Sequence, residues 1–261
     1  MCIFLVDSSR SSIASISKRK DQQPETMPKI HTLRTRRKRA ENCIARLKGT
    51  YHSPLLNNKA DPLDELVFIL LSQMTNNVSY ERVYDRLKSA VPNWNLLLDI
   101  PLSTLENLIR DAGLFRHRAI RLKQIATRLS HDFGTASLDP LFDYEDARAQ
   151  RYLMSLPGIG VKTAKCILMY SLGRQVLPVD THSARVAFRL GLVTTSDNAV
   201  VDNELSMVVP PKLRFDYHVN AIAHGRAVCR AQRPRCERCI LLSLCQFGRK
   251  FNISHTTGQL S

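Results

Sequence analysis

The sequence predicts an all-α protein. From residue 31 onward, apolar residues recur at helical spacing, and no clean strand alternation is present. Glycine is scarce, at 10 of 261 residues, and aromatic residues make up 7%, which disfavours an all-β chain rich in tight turns. Hydrophobic residues at 44% and charged residues at 23% are typical of a globular protein. The length is sufficient for one large or two small domains with a buried core.

The chain is strongly basic, with 38 Lys+Arg against 23 Asp+Glu and a net charge of +15. A surplus of this size indicates a polyanionic partner, most often nucleic acid. No apolar run approaches the roughly 18–20 residues that a membrane-spanning helix needs, so we expect no membrane insertion. Both the tail and the remainder of the chain carry part of the excess charge, and both could therefore face phosphate.

Residues 1–30 are predicted to be a basic, disordered tail. The segment 8–20 faintly resembles an organelle transit peptide. RTRRKR at 34–39 could be a nuclear signal or, in a bacterium, a DNA-binding arm or the start of a helix. We therefore expect the cytoplasm, in association with the nucleoid, for a bacterial protein, and the nucleus or mitochondrion for a eukaryotic one.

The first helices follow from local signals. Residues 35–48 form a basic stretch whose apolar positions recur along one face, which predicts a surface helix. Asp61 and Pro62 open a second helix that is apolar almost all round and is therefore expected to be buried. A third segment ends at Pro92. Ser103 and Glu106 match a capping box at the start of the next helix, with Gly113 as its stop.

The second half of the chain continues the helical pattern. A long basic helix is predicted over 116–133 and ends at Gly134. Asp180 starts a helix that runs to Leu190 and ends at Gly191. Further helices are predicted at about 143–154, 160–172, 198–208 and 214–228.

Seven cysteines are present, and four of them lie close together near the C-terminus. The four are Cys229, Cys236, Cys239 and Cys245, with the spacing C-x6-C-x2-C-x5-C. Four neighbouring thiolates repel one another unless a metal centre compensates their charge. The spacing departs from the two separated C-x2-C pairs that are usual for zinc, and a [4Fe–4S] cluster fits better. Zinc and unliganded thiols are the alternatives. Cys166 lies in an apolar helix and is expected to be a free core thiol.

The segment LPGIG at 156–160 lies between two predicted helices. Its glycines allow a tight turn and a close approach of backbone amides to an anion, and the next helix directs its positive end to the same place. Lys162 follows in the first turn, where the helix dipole and partial burial both disfavour an ammonium. A neutral amine there could form a Schiff base, and an ordinary phosphate-contacting lysine is the alternative.

Asp180 follows Lys162 by one helix and a return connection. Aspartate is a favoured N-cap, and capping alone would explain this residue. The separation also allows Asp180 and Lys162 to lie on opposite walls of one cleft.

Three motifs together resemble the endonuclease III family of DNA glycosylases. They are LPGIGVKTA at 156–164, PVDTH at 178–182 and CRAQRPRCERCILLSLC at 229–245. The likeness covers roughly residues 35–250. It implies two helical domains that flank a DNA-binding cleft: a six-helix barrel with a helix-hairpin-helix over 61–174, and an iron–sulfur cluster domain over 31–60 and 175–250. Residues 251–261 would form a tail.

The resemblance also implies an activity and its residues. A damaged nucleotide would be flipped into the cleft, where Lys162 attacks C1′ and Asp180 stabilises the developing charge. The imine would then permit β-elimination, which makes the enzyme a bifunctional glycosylase and AP lyase. The expected partner is double-stranded DNA with a damaged base or abasic site, and a monomer is expected. Predicted DNA contacts are Gln73, Leu114, Leu156, Gly158, Gly160, Val161, Thr163, His182, Arg230, Arg233 and Arg235.

The substrate follows less directly from the motifs. Asn76 stands where the family commonly has an acid, beside the base pocket, and oxidised pyrimidines are the default expectation. The alternatives are excision of mismatched thymine or uracil, or of a modified cytosine, and an iron–sulfur DNA-binding sensor without enzymatic activity. Lys162 and Asp180 together argue against a monofunctional enzyme and against a sensor.

Overall fold

A computed structural model describes residues 32–54, 56–72 and 77–249. These residues form eleven α-helices and five short 3₁₀ turns, with no β-strand among them, which confirms the all-α prediction. No helix in the same ranges is both long and apolar enough to cross a membrane. The helices are α1 (Leu33–Tyr51), α2 (Pro62–Ser72), α3 (Asn77–Ala90), α4 (Leu96–Asp99), α5 (Leu102–Leu108), α6 (Phe115–Phe133), α7 (Asp146–Ser155), α8 (Val161–Tyr170), α9 (Thr181–Leu190), α10 (Asn198–Val208) and α11 (Arg214–Ala227).

Several helix boundaries lie where the local signals predict them. The Asp61 carboxylate accepts hydrogen bonds from the amides of Leu63 and Asp64 at 2.9 and 2.7 Å, which satisfies donors that α2 cannot pair internally. Gly134 and Gly191 adopt the left-handed conformation, with φ of 77° and 69°, and end α6 and α9. These starts and stops are confirmed.

The predicted capping box at Ser103 is wrong. Helix α5 begins at Leu102, and the preceding Pro101 occupies the N-cap position without a side-chain hydrogen bond. Ser103 therefore lies inside the first turn and cannot cap it. The four-residue helix α4 was not predicted, because an element this short shows no periodicity.

Two separate hydrophobic clusters hold the helices together. The first draws its buried residues from α2 through α8, between Leu63 and Leu172. The second combines α1, α9, α10, α11 and the cysteine-rich segment, with Ile44 and Tyr217 among its largest buried side chains. The chain thus starts in the second cluster, leaves it to build the first, and returns at Leu177.

The buried face of α8 belongs to the first cluster and contains Cys166, which is 4% exposed. Burial raises the pKa of this thiol to about 12, so it remains protonated at neutral pH. The prediction of a free core thiol is confirmed.

Candidate active site

The connection between α7 and α8 is a tight hairpin held in place by buried apolar side chains. The side chains of Leu156 and Ile159 are 2% and 6% exposed, and the Ile159 amide donates to the Leu156 carbonyl at 3.2 Å. Gly158 has a φ of 77°, a left-handed conformation that favours glycine. Gly158 and Gly160 are both exposed. The two apolar anchors therefore turn the glycine backbone outward.

Helix α8 begins directly after this hairpin with no side-chain cap. Its N-cap residue is Gly160, and amides in the first turn of a helix have no intrahelical acceptor. Val161 is 38% exposed, whereas Thr163 is 5% exposed. Of the residues predicted to contact DNA here, Leu156 and Thr163 bury their side chains in the protein, so only their backbone is available to a ligand.

Arg121 lies against the hairpin and was missed by sequence reasoning. A Cβ atom added to Gly158 would lie 3.0 Å from the side chain of Arg121, which is exposed on α6. The hairpin therefore carries a cation beside its outward-facing amides. The basic pattern of α6 was visible in the sequence, but which of its cations reaches the hairpin was not.

Lys162 is exposed, and the predicted partial burial is wrong, because the second position of α8 faces outward. Its charge nonetheless changes the pKa values of buried groups. Burial raises the pKa of Glu65 on α2, and hydrogen bonds with Lys59 and Asn58 and the charge of Lys162 lower it in part. Lys162 also acts on His218 of α11. The charge of Lys162 therefore acts on buried side chains of both α2 and α11.

Asp180 is the N-cap of α9. Its Oδ1 accepts from the Ser183 amide at 2.7 Å, and the Ser183 hydroxyl accepts from the Asp180 amide at 2.9 Å. Burial alone would raise the pKa of this carboxyl. The hydrogen bonds with Ser183 and the interactions with His218 and His182 outweigh burial and leave the pKa lowered. Asp180 is therefore a half-buried carboxylate that stays ionised.

His218 links Lys162 and Asp180 and was also missed. Its ring is 2% exposed, hydrogen-bonded to the backbone of Pro178, and 5.9 Å from the ring of Tyr170 on α8. Burial lowers its pKa to about 4, so the ring is neutral near pH 7. Lys162 and Asp180 form no ion pair in the described chain, but both act on this ring. Nothing in the sequence of α11, which also contains His224, marks His218 for such a place.

His182 is half-buried beside Asp180. Burial is the main cause of its lowered pKa. Its Nδ1 lies 3.0 Å from Nη2 of Arg185, which also donates to the carbonyls of Cys229 and Gly225. His182 is thus held by protein contacts at the edge of the site.

Leu114 precedes α6 and is 59% exposed, the most exposed of the large hydrophobic side chains described. It has a φ of 43° and follows Gly113, whose φ is 62°. An apolar side chain in this place suits insertion into a base stack. Gln73 and Asn76, the other two residues singled out near the base pocket, lie outside the described residues.

The four C-terminal cysteines line one cavity together with Arg189. Burial, opposed in part by a hydrogen bond with the Leu241 backbone and aided by the other three thiols, raises the pKa of Cys239 to about 11. In the described chain, no three His, Cys, Asp or Glu side chains are arranged around a single metal ion. The four thiols share the lining of this one cavity.

Arg189 is the charged residue of this cavity and was not predicted. It is 5% exposed, and its Nη1 donates to the Arg230 carbonyl at 2.7 Å and lies 3.6 Å from the Cys229 sulfur. It supplies a buried positive charge beside thiols that repel one another as thiolates.

The loop between the first two cysteines exposes Arg230, Arg233 and Arg235. Within the described residues, none of these guanidinium groups has a hydrogen-bond or ion-pair partner. Arg233 adopts a left-handed backbone conformation, with φ of 49°. The three cations are available to an anionic ligand.

Comparisons with known proteins show which family and which solved structures this chain resembles. Residues 67–211 match the family model of HhH-GPD superfamily base excision DNA repair proteins. Endonuclease III of Bacillus subtilis is 30% identical over 215 residues, which cover 82% of this chain and 94% of the relative. Endonuclease III of Escherichia coli is 30% identical over 197 residues, covering 75% and 89%. A solved trapped covalent intermediate of endonuclease III with DNA matches with a TM-score of 0.71 and 27% identity, over 85% of this chain and 99% of that chain.

Proposed function

Because the chain belongs to the HhH-GPD superfamily of base excision DNA repair proteins, we propose that it is a bifunctional DNA glycosylase and AP lyase. Its substrate would be duplex DNA with an oxidised pyrimidine. The observation that carries the proposal is that an exposed Lys162, directly after the outward-facing glycine hairpin, and the half-buried Asp180 both act on the one buried ring of His218.

The chemistry follows from these groups. With the damaged nucleotide flipped out, Nζ of Lys162 in its neutral form attacks C1′, and the base leaves with the electrons of the glycosidic bond. The Asp180 carboxylate stabilises the positive charge that develops on the sugar. The nitrogen loses a proton, and the C1′–O4′ bond then breaks as O4′ takes up a proton and the C1′=N bond forms. The resulting protonated imine acidifies the C2′ protons. Removal of one of them breaks the C3′–O bond, and the 3′-phosphate leaves.

The grip on DNA is proposed to be independent of sequence. Amides of the hairpin and of the first turn of α8 would bind one phosphate, with Arg121 beside them. Arg230, Arg233 and Arg235 would contact another stretch of backbone. The two groups of contacts belong to the two halves proposed as domains, residues 61–174 and residues 31–60 with 175–250, so DNA would lie between them.

We also propose that Cys229, Cys236, Cys239 and Cys245 hold a [4Fe–4S] cluster. Four thiols that line one cavity, two of them buried and two half-buried, with the Arg189 guanidinium at its wall, suit a centre that carries negative charge with its ligands. When bound, the cluster would supply a rigid cross-link that orders residues 229–245. The cysteines pack against the second hydrophobic cluster, whereas Lys162 stands on α8, whose buried face belongs to the first. The iron–sulfur centre would therefore hold the loop arginines in place and take no part at Lys162.

Borohydride trapping on an abasic-site duplex, followed by excision assays on a lesion panel, tests the proposal. Covalent trapping together with release of oxidised pyrimidines supports it. Excision without trapping would indicate a monofunctional glycosylase, with mismatched thymine or uracil as the substrates to examine first. Tight binding with neither activity would indicate a sensor.

A further inference from the structure

We propose that Arg118 is a positioning residue that fixes the Leu114 loop against the end of helix α2. This inference rests on the proposed function, because it concerns how the loop is held ready to enter the base stack. Arg118 belongs to the first two turns of α6, yet its side chain is directed inward and is 5% exposed as a residue.

The contacts of Arg118 bracket the loop from both sides. Its backbone amide donates to the Leu114 carbonyl at 3.1 Å, and its Nη1 donates to the carbonyl of Ala112. Gly113 is therefore enclosed between two carbonyl groups that the same residue holds. The loop cannot rotate about Gly113 without breaking at least one of these hydrogen bonds.

The conformation of the loop shows why such a restraint is needed. Leu114 has φ of 43° and ψ of 29°, a left-handed conformation that disfavours a leucine. Conformations of this kind persist only where the surrounding structure enforces them, and they are concentrated at ligand-binding elements. Here the enforced conformation presents an apolar side chain, 59% exposed, to the solvent.

A second hydrogen bond connects the loop to another part of the fold. Nη1 of Arg118 donates to the Leu71 carbonyl at 2.7 Å, across 47 residues of sequence. Leu71 is the next-to-last residue of α2, and the chain enters the segment of Gln73 immediately after Ser72. One guanidinium thus joins the Leu114 loop to the end of α2, two residues before Gln73, another predicted DNA contact.

The buried charge of Arg118 itself favours a positioning role. A buried cation is costly unless its donors are satisfied, and burial lowers the pKa of Arg118, with Arg121 adding to the effect. An apolar side chain would fill the same space without that cost. The planar guanidinium, with its several donors in fixed directions, is the group that can hold two carbonyls in a set geometry.

The test compares Arg118→Met and Arg118→Lys with the matched control Arg128→Met, an exposed arginine of the same helix paired with Asp132. Dissociation constants are measured for a duplex with a stable abasic analogue and for the intact duplex, together with the Tm. We expect Arg118→Met to lose about tenfold of the preference for the abasic analogue, since misplaced positioning groups cost up to about 10²-fold. Arg118→Lys should recover part of it, and Arg128→Met should retain the wild-type ratio.

The ratio of the two constants separates positioning from simple structural support, because partial unfolding weakens both duplexes equally. A wild-type ratio in Arg118→Met would overturn the inference, even with a lowered Tm. Should Arg118→Met fail to fold, the ratio for Arg118→Lys decides in the same way. A wild-type protein without any preference for the abasic analogue would instead overturn the proposed function itself.

Discussion

Asp180 and Ser183 exchange three hydrogen bonds at the start of helix α9. Oδ1 of the carboxylate accepts from the Ser183 amide, and the Ser183 hydroxyl bonds both the backbone amide and the carbonyl of Asp180. The same side chain can therefore cap the helix with one oxygen and offer the other to a developing positive charge. The capping and catalytic interpretations of Asp180 are compatible.

The Asp180→Asn variant separates these two roles. Asparagine caps helices nearly as well as aspartate, so the Tm should stay close to that of the wild type. Base excision should fall by about 10²-fold or more, because the charge that stabilises the transition state is lost. Single-turnover excision and thermal melting measure the two effects. A collapse of stability with full activity in the remaining folded protein would leave capping as the only role.

Lys162→Gln should abolish borohydride trapping and strand cleavage, since no other group is proposed to form the Schiff base. Affinity for an abasic-site duplex should be largely retained, because the hairpin backbone is unchanged. Lys212→Gln, at an exposed lysine outside the site, is the control and should trap like the wild type. Undiminished lyase activity in Lys162→Gln would exclude the assignment.

Purified protein should be brown and contain about four irons per chain, the stoichiometry of a [4Fe–4S] cluster. Cys236→Ser should lower the iron content and the Tm together, because Cys236 is buried in the wall of the shared cavity. Iron analysis and visible absorbance after anaerobic purification measure this. A colourless preparation with stoichiometric zinc would show that the thiols bind another metal.

Contacts of the protein with DNA phosphates and insertion of Leu114 into the base stack should respond differently to salt. Arg233→Ala should lower the slope of log affinity against log salt by about 0.9 and weaken damaged and intact duplexes alike. Leu114→Ala should weaken binding to an abasic analogue with little change of slope, because it removes an apolar group. Titrations at several salt concentrations compare them. An unchanged slope for Arg233→Ala, or equal weakening of both duplexes by Leu114→Ala, would contradict this division.

Stability should depend on pH through His218. Its neutral ring, faced by Asp180 from α9 and by Lys162 and Tyr170 from α8, has a pKa lowered by burial to about 4. The unfolded chain takes up this proton near pH 6.5, so the free energy of unfolding should fall as pH drops from about 6.5 to about 4.

Urea unfolding at a series of pH values measures this dependence. His218→Gln can still donate to the Pro178 backbone and does not titrate, so its stability should change less across the same range. Equal slopes for the two proteins would show that other groups cause the effect.

Features of this protein that depend on residues close together in the chain can be predicted from its sequence. Asp61 with Pro62, Gly134 and Gly191 set helix boundaries through hydrogen bonds and backbone preferences within one turn. The hairpin with Lys162 and the four cysteines likewise stand in short motifs, which is why the family could be identified from them. The capping box predicted at Ser103 is wrong because the helix begins one residue earlier, at Leu102, directly after Pro101.

Which side chains from distant parts of the chain face one another is visible only in the tertiary structure. Arg118 reaches Leu71 across 47 residues, and Arg189 reaches Arg230 across 41. Arg121 meets Gly158 only because α6 packs beside the hairpin, and the exposure of Lys162 depends on which face of α8 is buried. Local periodicity specifies a helix and its apolar face. Contacts between distant helices arise from the packing of those faces, which no short stretch of sequence contains.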